Sequence, residues 1–183
     1  MQKRGDNMSQ RDAGYTASEI GEILMGHQMV IYEKEFARIE RAVSQLVQAA
    51  NARVVFVVDK NGQLIAASGE VDNIDTTSLA SLTAGNIAAT GGIANLLREN
   101  EFTTQFHEGK NAHIHIQLVK SRVILVVIFD ARSSLGLVRL RVRKASEELG
   151  AIFDDIDQQA PQAQQASPFA EITDADIDNL FND

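Results

Sequence analysis

The chain has 183 residues, 44% of them hydrophobic, which is enough for one domain with tails. It has no cysteine, which excludes disulfides and thiolate metal sites, and with no signal-peptide pattern the composition predicts a cytoplasmic protein. The net charge of −8 lies at one end: residues 147–183 hold ten acidic side chains and no Lys or Arg, which leaves residues 1–146 at +2. A nearly neutral body excludes general nucleic-acid binding, which needs a concentrated basic face.

Residues 1–24 are polar and weakly patterned and read as a disordered N-terminal extension, with a turn of helix at TASEIGEIL capped by Thr16 or Ser18. Met25 stands where organised sequence begins and is a candidate start of translation. From Gln28 to Ala50, Val30, Phe36, Ile39, Val43, Leu46 and Val47 recur at helical spacing, and Asn51 marks the end. Arg53–Val58 is a β-rich run, and Asp59-Lys60-Asn61-Gly62 turns it into a second strand, Gln63–Ala67. Gly69 to Asp75 is a loop, after which Asp75 or Thr76 caps a helix that ends near Asn100.

Three further strands are expected. Phe102–His107 is short and suits an edge. Ala112–Val119 alternates His113, His115 and Gln117 with Ile114, Ile116 and Leu118. After a turn at Ser121-Arg122, Val123–Phe129 is apolar throughout, as in a strand covered on both faces. Ser133 or Ser134 then caps a helix from about Leu135 to Ile156. The order α-ββ-α-βββ-α predicts an α+β sandwich: one five-stranded antiparallel sheet with helices on its faces. The domain boundaries expected are a body over 25–157, a flexible linker over 158–166 (QQAPQAQQA) and a C-terminal peptide over 167–183. In that peptide Phe169, Ile172, Ile177, Leu180 and Phe181 stand among carboxylates, which reads as a partner-docking motif.

The central helix carries the strongest hint of function. Twenty-two residues, Thr76 to Leu97, contain no charge. Four Thr, two Ser, two Asn and three Gly make the run too polar to enter a membrane. At 100° per residue, Leu79, Leu82, Asn86, Thr90, Ile93 and Leu97 gather on one side and are assigned to the core. Thr77, Ser81, Ala84, Ala88, Gly91, Gly92 and Asn95 form the other side, small and flat, which suits close approach by a second surface. Homodimer burial alone and a dimer that also receives another partner both fit this face.

No nucleophile, base and acid stand together, and Gly85, Gly91 and Gly92 match no phosphate loop. His113 and His115 at i, i+2 have metal-ligand spacing, but no carboxylate supports it, and the ordinary reading is a solvated sheet face. Neither a metal nor any other cofactor is expected. Arg132, Arg139, Arg141, Arg143 and Lys144 form a basic cluster, either a solvated helix face or a dock for an acidic surface, the chain's own tail included.

VVFVVDKNGQLIAASG, IDTTSLASLTAGNIAATGGIANLL, ENEFTTQFHEG and SRVILVVIFDARSSLGLVRLRVRKASEEL, in this order, resemble the roadblock / dynein-light-chain family. Within it they resemble bacterial regulators of small Ras-like GTPases, from about Met25 to the C-terminus. The resemblance implies a homodimer joined through the Phe102–His107 edge, with the two central helices side by side. It implies a partner, a small Ras-like GTPase in its GTP-bound state, whose hydrolysis is accelerated without a donated catalytic residue, in control of cell polarity and motility and with possible concentration at a cell pole. Carried over by position, Ser81, Ala84, Ala88 and Gly92, with Arg139 and Lys144, meet the GTPase, and the C-terminal peptide reaches a separate surface of it, raising affinity or promoting nucleotide exchange. The alternatives are a roadblock scaffold that only recruits a GTPase or motor complex and, more distantly, a small-molecule sensor or metal-dependent enzyme on the His face. Residues 1–24 and the pair His113 and His115 depart from the family pattern.

Overall fold

A computed structural model of the chain describes residues 31–165 other than Asn73. The expectations for the N-terminal extension, for Met25 and for the peptide bearing Phe169, Ile172, Ile177, Leu180 and Phe181 lie outside the described residues.

The elements follow the expected order: α1 (Glu33–Ala50), β1 (Val54–Asp59), β2 (Leu64–Gly69), α2 (Thr76–Leu96), β3 (Thr104–Glu108), β4 (His113–Val119), β5 (Val123–Phe129) and α3 (Leu135–Gln165). The strands form one antiparallel sheet in the order β2-β1-β5-β4-β3. β5 therefore lies at the centre, and every residue from Val123 to Phe129 is buried, as its unbroken apolar run requires. β2 and β3 are the edges, and each has one row of backbone groups unpaired within the sheet.

Local chemistry sets the boundaries. Asn51 ends α1 in the left-handed conformation (φ 49°, ψ 43°), and its N–H donates to the carbonyls of Gln48 and Val47. Asp59 Oδ1 accepts from the N–H groups of Asn61 and Gln63, both at 2.8 Å, so that carboxylate closes the β1–β2 turn. Lys120 and Ser121 both have positive φ and make the tight β4–β5 turn one residue earlier than expected. Asp75, not Thr76, caps α2 by accepting from the Ser78 N–H at 3.0 Å. Ser134 caps α3 by accepting from the Leu137 N–H, while the Ser133 hydroxyl donates to the Ala50 carbonyl.

Two helix ends differ from expectation. α2 stops at Leu96, with Arg98 in the left-handed region (φ 61°), short of Asn100. α3 continues past Ile156 to Gln165, so the expected flexible linker is helical over most of its length.

The sheet separates two layers. On one face α2 packs on Val54, Phe56, Val58, Ile116, Leu118, Ile124, Val126 and Ile128. On the other lie α1 and α3, which pack against each other and against the sheet. Their buried stripes are Ile39, Val43 and Leu46 on α1 and Val138, Val142, Leu149, Ile152 and Phe153 on α3. Arg38 with Asp155 (2.6 Å) ties the two helices together, and Lys120 with Asp154 (3.0 Å) ties α3 to the β4–β5 turn.

Candidate functional site

α2 meets the sheet by a stripe that lies between the two that periodicity distinguished. Ala80, Thr83, Ala84 and Ala94 are buried, with Leu79 and Ile87 partly buried beside them. Leu82, assigned to the core from its spacing, is 71% exposed, and Ile93 and Leu97 are exposed too. Ala84, assigned to the partner-facing side, is 7% exposed and belongs to the core. The physical reason is that an uncharged helix has no polar face to break the tie between stripes. The helix turns to lay Ala80, Thr83, Ala84 and Ala94 inward, because these small side chains let the backbone lie close on a sheet already filled by Val, Ile and Phe.

The closeness shows at Gly62 in the β1–β2 turn. Its φ is +87°, and an added Cβ would stand 3.0 Å from the Ser81 Cα. On the other flank, Gln105 Nε2 of β3 donates to Thr90 Oγ1 at 2.7 Å.

The outward surface of α2 is thus a ridge of Leu82, Ala89, Ile93 and Leu96, the last 85% exposed. Beside it lies a flank of Ser81, Ala88 and Gly92, all three exposed. A Cβ added at Gly85, Gly91 or Gly92 would meet nothing within 4 Å. These glycines weaken the helix by about 1 kcal/mol each relative to Ala, yet no internal packing requires them. A cavity of about 520 Å³ runs along this flank, walled by Ala88, Gly91, Gly92 and Asn95 and closed by Lys60 and Phe102. Sequence reasoning missed Lys60 and Phe102. The available signal was the tight turn at Gly62, which brings its neighbour Lys60 up to the helix.

Arg139 and Lys144 are carried by α3, across the sheet from α2. One protomer therefore does not bring them together with Ser81, Ala88 and Gly92. The basic cluster is also divided. Arg132 is committed to a surface network, with Nε 3.0 Å from Asp130 Oδ1 and Nη2 2.9 Å from Glu70 Oε1. Hydrogen bonds from Arg53 and then Arg132 hold the Glu70 carboxyl below its ordinary range, and Arg132 does the same for Asp130.

The His face is not solvated, because α3 covers it. His115 is 1% exposed, and burial, followed by the charge of Arg139, pushes its pKa down to about 4. His113 packs between Phe129 (5.2 Å between ring centroids) and Phe106 (6.0 Å). Among the described residues no group of three or more His, Cys, Asp or Glu is placed to hold a metal, and no helix is long and apolar enough to cross a membrane.

A five-stranded antiparallel sheet with one helix on one face and two on the other, in this chain order, is the roadblock architecture. The chain belongs to that family, and residues 38–129 match the Roadblock/LC7 domain. More narrowly it is similar to MglB. It is 61% identical to Myxococcus xanthus MglB, with a TM-score of 0.67 over 69% of this chain and 96% of that one. The gliding protein MglB from Thermus thermophilus is 28% identical with a TM-score of 0.66, covering 70% of this chain and 97% of its own. A structure described as MglB with tetrameric arrangement is 26% identical with a TM-score of 0.67, covering 70% and 97%.

Proposed function

We propose that the chain is a homodimeric GTPase-activating regulator of a small Ras-like GTPase of the MglA type, acting in the cytoplasm in control of cell polarity and motility. The observation that carries this reading is the outward surface of α2. It is uncharged, it exposes Leu82, Ile93 and Leu96, and an added Cβ at its glycines would meet nothing within 4 Å among the described residues. The ridge suits burial between two copies, joined along the open edge of β3. The flank of Ser81, Ala88 and Gly92, with Lys60 beside it, then receives the GTP-bound partner.

The regulator supplies no catalytic residue. A rigid small-residue surface acts instead by favouring one arrangement of the GTPase switch regions, so its effect equals its differential affinity for that arrangement. Ala84 drops out of the contact set because the sheet covers it. Arg139 and Lys144 serve a second approach, from the α3 side. The segment with Phe169, Ile172, Ile177, Leu180 and Phe181 raises affinity or promotes nucleotide exchange at a separate surface of the partner.

Multiple-turnover GTP hydrolysis by the cognate GTPase, with and without the chain, tests the reading. Acceleration is expected. Binding without acceleration would replace it with the scaffold reading. Ala88→Arg places a long charged side chain on the flank and should abolish GTPase binding while the dimer persists in sizing. Retained binding would move the platform elsewhere.

A further inference from the structure

Across the sheet from α2, a groove of about 850 Å³ opens between the first turns of α3 and strand β4. His115 and Gln117 line it from the sheet, and Arg139, Leu140, Arg143 and Ser146 line it from α3. Among the described residues, two of its buried polar atoms, His115 Nδ1 and Ser146 Oγ, have no hydrogen-bond partner. His115 itself is almost wholly buried, which leaves its ring nitrogen as an acceptor or donor to be satisfied at the groove's floor.

The walls specify that partner. Arg139 and Arg143 stand one helical turn apart, and among the described residues neither is in an ion pair. Lys120 at the groove's end is already held by Asp154. Glu147 also lines the groove, so its positive character comes from the two arginines. Leu140 is 52% exposed and offers an apolar step between them. Cations flanking an apolar step over orphaned polar atoms suit a peptide that alternates carboxylates with large apolar side chains.

The chain carries such a peptide. Residues 167–183 set Glu171, Asp174, Asp176 and Asp178 among Ile172, Ile177, Leu180 and Phe181, with no basic residue. From Gln165, the last residue of α3, Arg143 lies about 33 Å back along the axis at 1.5 Å per residue. The chain from Gln165 to Leu180 spans up to about 50 Å at 3.3 Å per residue. The tether also keeps the local concentration of the peptide high, so modest contacts suffice.

We propose that residues 167–183 seat in cis in this groove, with carboxylates on Arg139 and Arg143 and an apolar side chain on Leu140. The seat covers Arg139, which the GTPase reading assigns to the partner. A partner arriving from the α3 side then competes with the tail, and the free regulator holds its own docking peptide back. The seating itself involves only this chain and stands whether or not the GTPase reading does.

The absence of native cysteine makes the test direct. The full chain carrying Leu140→Cys and Leu180→Cys is oxidised gently without any GTPase, beside a control carrying Leu64→Cys on strand β2 with Leu180→Cys. An intramolecular disulfide at least tenfold faster for the 140/180 pair is expected, slowed severalfold by adding Arg143→Glu. Equal rates for the two pairs, or only intermolecular disulfides at 140/180, would overturn the proposal. A second measurement needs no cysteine. Asp174→Asn, Asp176→Asn and Asp178→Asn together should shift the NMR resonances of the distant His115 ring, and an unchanged ring would also overturn it.

Discussion

Replacing Gly91 and Gly92 together with Ala asks whether these glycines serve the chain or something outside it. Both lie within α2, neither has a positive φ, and a Cβ at either position meets nothing within 4 Å. The steric cost inside one protomer is therefore nil, and the gain in helix propensity is about 1 kcal/mol per site, or about 2 kcal/mol for the pair. For a domain of this size that gain corresponds to a rise in Tm of roughly 6–10 °C. Urea unfolding gives the comparison directly, as a shift of midpoint at unchanged slope. It should be run at several protein concentrations, because self-association adds a concentration-dependent term. The same variant should lose affinity for the GTPase, because two methyl groups now hold the surfaces apart. A double variant less stable than the parent at low concentration would show that the glycines are needed within the chain. Higher stability with unchanged partner binding would place the platform elsewhere.

Gly69→Ala should behave in the opposite way: its φ is +105°, and an added Cβ would stand 2.2 Å from the Arg53 carbonyl oxygen. A loss of more than about 2 kcal/mol is expected in the same unfolding assay. Leu82→Ser with Leu96→Ser removes two exposed apolar side chains from the ridge. Sizing should show a smaller species, while unfolding at low concentration changes by no more than about 0.5 kcal/mol per site. His115 has a folded pKa near 4 against an ordinary value of 6.5. The unfolded chain therefore takes up a proton that the folded chain refuses, and stability present above pH 6.5 is lost as pH falls towards 4, by at most about 3 kcal/mol. Unfolding free energies measured between pH 7 and 5 should slope accordingly, and His115→Gln should flatten the slope.

Much of the architecture is written in local residue chemistry. Asp75, Asn51, the Asp59–Gly62 turn and Ser134 act on backbone groups within a few residues, so they set element boundaries without help from the rest of the chain. The unbroken apolar run at Val123–Phe129 identifies the central strand, because only a strand covered on both faces needs such a run. The missing charge in α2 likewise marks the candidate functional helix from sequence alone. Which way that helix faces was left to tertiary structure. All of its faces are free of charge, so periodicity does not fix its rotation, and the fit of Ala80, Thr83, Ala84 and Ala94 against a filled sheet turns Ala84 inward and Leu82 outward. The same holds for the His face. Strand alternation puts His113 and His115 on one side, but only the placement of α3 decides that this side is covered. Tertiary structure also divides the basic residues, pairing Arg132 with Asp130 and Glu70 and leaving Arg139 and Arg143 over a groove. Those ion-pair partners lie as far as 62 positions apart in the chain, a separation that no local pattern reads.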